Sequence, residues 1–204
     1  MKNLECLFTR RPGIIGEEKY SQFAVFVPLI EKHGEVFLLF EKRSGNLKRQ
    51  PGEICFPGGR IELGETAEEC AVRETTEELL IVKEQIRVLG ASDIFLSPFQ
   101  LVVYPYIGIL SDYGSTFSKD EVEEILEIPI SFFLENEPRC FKAQLLNHLP
   151  EGFPFDLIPD GENYKFARGN YEILFYQYGE HTIWGMTAQM AKNSITLLQK
   201  YEIL

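Results

Sequence analysis

The chain contains no C-x-x-C pair and few histidines, and His33, His148 and His181 stand isolated from one another. The four cysteines, Cys6, Cys55, Cys70 and Cys140, are also far apart. A zinc ribbon and a thioredoxin-like motif therefore have no support, and reduced, buried thiols are expected. A histidine-rich metal site and a Ser-His-Asp triad lack support for the same reason. No window approaches the run of about 18 apolar residues that a membrane span needs. The longest candidate, Phe23 to Ile30, contains Pro28, and MKNLECLFTRR at the N-terminus has no signal-peptide pattern, so a cytoplasmic chain outside the membrane is expected. Positive charge is scarce: Lys plus Arg is 20 against 31 Asp plus Glu, a net charge of -11. Such a surface repels polyphosphate backbones, which disfavours a nucleic-acid partner. Repeats, low-complexity tracts and linkers are missing too. With 204 residues, 45% of them hydrophobic, the chain has core enough for one domain with embellishments.

The patterning that is present predicts mixed elements. Two β-branched and aromatic runs, Phe23 to Ile30 and Val36 to Phe40, flank Glu31-Lys32-His33-Gly34 and read as a hairpin with a short turn. Residues 1–20 read as an N-terminal extension. Residues 43–64 are rich in glycine and proline, so most of this stretch is expected to be loop, with a short strand through Ile54, Cys55 and Phe56. Thr66 followed by Glu69 forms a capping box and opens a helix that runs to Leu79. Ile86 to Gly90 and Leu101 to Leu110 read as strands, with Pro105 placing the second near an edge or a bulge. Glu121 to Ile128 fits helix or strand. Residues 129–180 are rich in aromatics and proline and read as an insertion or lid, centred on 136–180, with one strand at Tyr171 to Tyr178. A final helix places Met186, Met190, Leu197 and Tyr201 near one face, as core packing does. Strands mixed with two helices predict one α/β or α+β domain over residues 1–204.

Chemistry concentrates between Gly58 and Ile81. On a helix, Glu74, Glu77 and Glu78 stand at i, i+3 and i+4, so their carboxylates share a face. Like charges at this spacing destabilise a helix by about a few tenths of a kcal/mol per pair. Hard divalent cations take oxygen ligands, so Mg²⁺ or Mn²⁺ would turn that crowding into a function; a solvated acidic face is the alternative in so acidic a chain. Arg73, one turn from Glu69 and from Glu77, can pair with either or with Glu65 and so orient the cluster. Next to this acidic segment lies a basic one, with Lys42, Arg43, Lys48, Arg49 and Arg60.

The full spacing is more specific than the triplet. Gly59, five residues, Glu65, seven residues, Arg73-Glu74, two residues and Glu77-Glu78 resemble the Nudix box. Thr75 departs from it where a bulky aliphatic residue is usual. Leu80 departs from it where the box has its second glycine, which argues against a left-handed turn at the helix end. Upstream, Arg43-Ser44, Lys48, Gly52 and Phe56-Pro57-Gly58-Gly59 resemble the signature of the coenzyme A pyrophosphatase branch, with Lys48 at an arginine position; Trp184-Gly185-Met186-Thr187-Ala188 is similar to a later segment of that branch.

The resemblance covers about residues 22 to 195 and implies a Nudix α/β/α sandwich with a mixed sheet. It further implies Mg²⁺- or Mn²⁺-dependent hydrolysis of the pyrophosphate of coenzyme A or a derivative, giving 4′-phosphopantetheine and 3′,5′-ADP. Glu74, Glu77 and Glu78 would be metal ligands. Glu74 or Glu78 would also assist deprotonation of water, with Arg73 supporting them. Arg43, Lys48, Arg49, Gly58 and Gly59 would meet the substrate, Glu121 is a further acidic candidate, and the aromatics of the insertion are candidates for stacking adenine or lining a pantetheine groove. The expected partner is a small-molecule pyrophosphate, and a homodimer is left open. Hydrolysis of ADP-ribose, a dinucleotide or a nucleotide sugar, and a non-catalytic ligand-sensing module, are the rival expectations.

Overall fold

A computed structural model describes residues 14–203 of the chain. Cys6 and most of the expected N-terminal extension lie outside the described residues. Strands β1 (Ser21–Lys32) and β2 (Glu35–Arg43) form the expected hairpin. Its two-residue turn, His33-Gly34, has φ of 55° and 79°, the pair of positive values that matches the twist of the strands it joins. After it come β3 (Ile54–Cys55), β4 (Gly58–Arg60), α1 (Ala67–Leu79), β5 (Ile86–Ala91), β6 (Phe95–Ser97), β7 (Leu101–Leu110) and β8 (Val122–Pro129). These strands make one mixed sheet in which β1 runs parallel to β7 and antiparallel to β2 and β4, while β8 pairs with β2. Glu121 to Ile128, open between helix and strand in the sequence, is thus mostly strand.

Side-chain alternation along β1 and β2 builds two cores. Ala24 and Phe26 pack with Cys70 and Ala71 of α1, and Ile30 and Leu39 pack with Leu79 at the end of that helix. Val27, Leu29, Leu38 and Phe40 face the other way, toward α3 (Gly185–Lys200), whose Ala188, Met190, Ala191, Ile195 and Leu198 are buried. Helices therefore cover both faces of the sheet, the expected α/β/α arrangement. Phe40 stacks on Phe56 with ring centroids 4.6 Å apart, and burying each such ring contributes about 1.5–3 kcal/mol. No helix among the described residues is long and apolar enough to cross a membrane.

Several expectations are corrected. Of the two settings expected for Pro105 the bulge is found and the edge is not, since strand β7 is interior, with β1 on one side and β5, then β6, on the other. Pro105 is tolerated because it falls between the stretches paired to β5 and to β6, where Ser92 N–H donates to its carbonyl at 2.8 Å; a register shift in β5 between Val88 and Gly90 adjoins it. Residues 136–180 hold more order than one strand: β9 (Arg139–Leu145) and β10 (Gly169–Tyr178) join β11 (His181–Trp184) in a second antiparallel sheet, reached through the short helix α2 (Ile130–Glu135). Of the face expected on α3, Met190 is buried and Met186 and Leu197 pack against the same core, while Tyr201 is exposed just beyond the helix. Of the described cysteines only Cys70 is buried; Cys55 is intermediate, and Cys140 is exposed on β9, most of whose residues face solvent.

Helix α1 starts as its capping box predicts: Thr66 Oγ1 accepts from Glu69 N–H at 3.2 Å and Glu69 Oε2 from Thr66 N–H at 2.9 Å. Thr75 is fully buried where an aliphatic residue was expected, and its hydroxyl is satisfied by the Ala71 carbonyl at 2.6 Å. The helix end contradicts the expectation for Leu80, which adopts the left-handed conformation with φ 52° and ψ 49°. Its cost is offset because the amides of Leu80 and Ile81 both reach the Thr76 carbonyl, and Thr116 Oγ1 donates to the Leu79 carbonyl at 2.7 Å. Ser118 N–H donates to the Glu78 carbonyl at 2.8 Å, so the loop before β8 grips the last turn of α1. Leu80 is 59% exposed and loses little contact on truncation. Leu80→Gly is therefore expected to stabilise the protein by about 1 kcal/mol, read as a raised urea midpoint; a lowered midpoint would show that the leucine side chain outweighs its backbone cost.

Candidate metal and active site

The site forms where β4, the end of β2 and the final turns of α1 meet. Gly58 and Gly59 of β4 pair with Val25 and Ala24 of β1, which brings their backbone against the helix. A Cβ on Gly58 would strike the Ala24 carbonyl and Val25, and one on Gly59 would strike the Glu74 carboxylate. The two glycines thus admit the helix carboxylates. Gly58 N–H donates to Glu78 Oε2 at 2.8 Å, and Glu78 is only 3% exposed.

Arg73 organises the outer side of the cluster. Its Nε and Nη2 reach the two oxygens of Glu65 at 2.8 and 3.1 Å, while Nη1 reaches Glu74 at 2.8 Å and Glu77 at 3.4 Å. Of the alternatives open in the sequence, Glu65 and Glu77 are used; Glu69 is occupied by the helix cap. The guanidinium, together with Glu62 N–H, holds the Glu65 carboxyl down to about 2. Glu65 is therefore a fixed anion.

The acidic triplet splits. Glu77, next to Glu78 in sequence, is turned about 100° around the helix axis and stands 58% exposed beside Arg73. Glu74 and Glu78 instead face two carboxylates from outside the helix, Glu41 of β2 and Glu121, within charge reach. Sequence reasoning missed Glu41, which is 1% exposed; the available signal was a single acid closing an otherwise apolar strand run. Glu121 is exposed but held at the end of β2, where Ser44 N–H donates to its carbonyl at 2.8 Å.

Burial, followed by the charge of Glu41, pushes the Glu78 carboxyl up, opposed by Gly58 N–H. Burial likewise raises Glu41, against the Cys55 thiol and Arg43. Glu74 is raised by burial and lowered by Arg73. Glu41, Glu74 and Glu78 thus hold their protons more tightly than free glutamates, chiefly because burial strips the carboxylates of water and secondarily because they repel one another. Among the described residues no three His, Cys, Asp or Glu side chains already stand at the spacing of a bound ion. The donors present are nonetheless hard oxygens, buried and mutually repelling, and they fit Mg²⁺ or Mn²⁺ in kind.

The expected substrate contacts divide as well. Arg43 is half-buried beside Glu41, and its Nε finds no acceptor among the described residues. Lys48 and Arg49 are exposed on the loop between β2 and β3. The insertion aromatics are largely taken up by one another: Phe153 packs against Phe155 and Phe166, and Tyr164 against Phe166. Tyr171 meets Phe99, and Tyr176 meets Phe133. Trp184 stacks on Phe175, with centroids 5.8 Å apart, and turns the chain into α3.

Raised folded values for Glu41 and Glu78 set the sign of a pH dependence. The folded state binds these protons more tightly than the unfolded chain, so their contribution is fully present below the ordinary value of 4.5 and is lost as pH rises through the raised values. Metal-free protein is expected to lose stability as pH climbs from about 4.5 through neutrality. Glu78→Gln should flatten that decline, measured as the urea midpoint against pH in chelator; an unchanged slope would mean that Glu78 does not carry it.

The NUDIX domain profile matches residues 21–143, which contain the hairpin, the glycines of β4, α1 and β8. Nudix hydrolase 3 of Caenorhabditis elegans is 28% identical over 205 residues, covering 97% of this chain and 82% of that protein. The peroxisomal coenzyme A diphosphatase NUDT7 of Mus musculus is 35% identical over 118 residues, 56% of this chain and 49% of that one. A crystal structure of a MutT/nudix family protein from Enterococcus faecalis aligns with a TM-score of 0.52 at 17% identity, covering 100% of this chain and 70% of that one, which shows a shared fold. By the profile match, and with the box glutamates where that profile lies, the chain belongs to the Nudix hydrolase family.

Proposed function

We propose that the protein hydrolyses the pyrophosphate bond of coenzyme A or a derivative in the cytoplasm, releasing 4′-phosphopantetheine and 3′,5′-ADP. The observation that carries the reading is the set of buried, mutually repelling carboxylates around Gly58 and Gly59, which call for a cation where an anionic substrate would otherwise be excluded. The likeness to the coenzyme A diphosphatase NUDT7 and the Arg43, Lys48 and Phe56-Pro57-Gly58-Gly59 signature favour coenzyme A among pyrophosphates.

Bound Mg²⁺ or Mn²⁺ would polarise phosphoryl oxygens and lower the pKa of water. Glu74 and Glu78 would supply oxygen donors to the cation from one face of α1, and Glu77 lies at their solvent side. Glu78 is the better placed of the two as base, because Arg73 pairs with Glu74 and makes it less basic, whereas Glu78 is buried with only the Gly58 N–H on its carboxylate. Water then adds to phosphorus as the bridging P–O bond breaks and the leaving phosphate departs. Arg73 holds Glu74 in place through its clamp on Glu65. Arg43, Lys48 and Arg49 supply positive charge for the pyrophosphate and the separate 3′-phosphate. A lysine in place of arginine at residue 48 keeps the charge and gives up the two-pronged contact. Hydrolysis of ADP-ribose is the reading that this substitution leaves standing.

Purified protein incubated with coenzyme A or ADP-ribose, with and without Mn²⁺ or Mg²⁺, should give metal-dependent 3′,5′-ADP from coenzyme A by mass spectrometry. Glu78→Gln should abolish that turnover with the circular dichroism spectrum intact. AMP from ADP-ribose alone would transfer the site chemistry to another pyrophosphate, and binding without turnover of either would favour a ligand-sensing module.

A further inference from the structure

Strand β2 is apolar from Val36 to Phe40 and then buries a charge. Alternation turns Glu41 to the same side as Leu39, which packs on Leu79 at the end of α1, while Phe40 lies in the opposite core with α3. Glu41 therefore projects from the sheet toward the turn of α1 that carries Glu78. Among the described residues its Oε1 accepts only from Cys55 Sγ–H, at 3.4 Å, and a thiol is a weak donor. Its Oε2 is buried with no hydrogen-bond partner among the described residues. The fold does not use the obvious neutralising partner either: Arg43, two residues on, contributes charge at a distance, yet its own buried Nε also stays unpaired. A glutamate kept for packing alone would have both oxygens bonded or an ion pair at close range.

We propose that Glu41 is a further oxygen donor to the divalent-cation site, supplied by the sheet opposite the Glu78 carboxylate of α1, with the Cys55 thiol fixing its orientation. This inference rests on the metal site of the proposed function and adds to it a ligand that lies outside the box. The cation would be gripped from both layers of the sandwich, which a set drawn from α1 alone would not do. It would also supply the missing partner of Glu41 Oε2.

Mn²⁺ binding to metal-free protein, read from the electron paramagnetic resonance signal of the free ion, tests it without reference to turnover. Glu41→Gln should weaken Mn²⁺ binding at least about tenfold, in the range that loss of a supporting group at a metal site typically costs. In chelator the same variant should melt higher than the wild type, because a buried acid is replaced by a neutral amide, and it should gain less from added Mn²⁺. Glu31→Gln, at an exposed position on β1, should match the wild type in both. Should Glu41→Gln not fold, Glu41→Asp decides, with weakened binding expected from its shorter reach. Mn²⁺ affinity within twofold of wild type in the folded variant overturns the inference. If Glu78→Gln alone loses the ion, the proposed function stands and only the role of Glu41 falls; if the wild type binds no Mn²⁺, both fall.

Discussion

The architecture around α1 depends on one close approach, that of a helix bearing carboxylates to a backbone with no side chains in the way. Gly59 leaves the space that the Glu74 carboxylate occupies, and Gly58 offers an amide to Glu78. That approach requires β4 to be held flat against β1, and it requires α1 to start at a fixed point, which the reciprocal bonds of Thr66 and Glu69 provide. Removing a carboxylate from water without a paired cation is costly, so the arrangement is stable only to the extent that protons, Arg73 or a metal ion neutralise it.

Charge is distributed in layers around this point. The outer layer is complete within the chain: Arg73 satisfies Glu65 and reaches Glu74 and Glu77, giving a rigid anion–cation network at the surface. The inner layer, Glu78 and Glu41, has one backbone amide and one thiol between them. An overall charge of -11 would repel a polyanionic small molecule, and Arg43, Lys48 and Arg49 are local exceptions in the sequence, whereas neighbouring Lys42 is paired with Glu123.

Much of this was legible because local rules decided it. The hairpin, the capping box, the helix to Leu79 and the strand at Leu101 to Leu110 each follow from periodicity and a few turn residues. Where longer-range contacts decide, the sequence was silent. Pro105 left an edge and a bulge both open, because the change of neighbour from β5 to β6 cannot be read from β7 itself. Leu80 looked unfit for a left-handed cap because the hydroxyl supporting its neighbour comes from Thr116, distant in sequence. The triplet at i, i+3 and i+4 reads as one face in the sequence, and only tertiary packing separates Glu77 in solvent from Glu78 in the interior. Glu41 was hidden by its context, since an acid at the end of an apolar strand usually marks the emergence of the chain into water.

The grip of the loop before β8 on the end of α1 sets where this chain tolerates changes in length. Thr116 and Ser118 hold carbonyls of the last helical turn, and Ser44 holds Glu121 three residues later, so the span from Thr116 to Glu121 acts as a fixed strut between helix and sheet. An inserted residue there would displace Glu121 relative to Glu78. Tyr113 extends the strut upstream, because it packs against the core around Leu79 and its hydroxyl donates to the Thr116 carbonyl at 2.6 Å, so an insertion is absorbed only outside the segment from Tyr113 to Glu121. Related chains that keep the strut should therefore differ in loop length outside that segment.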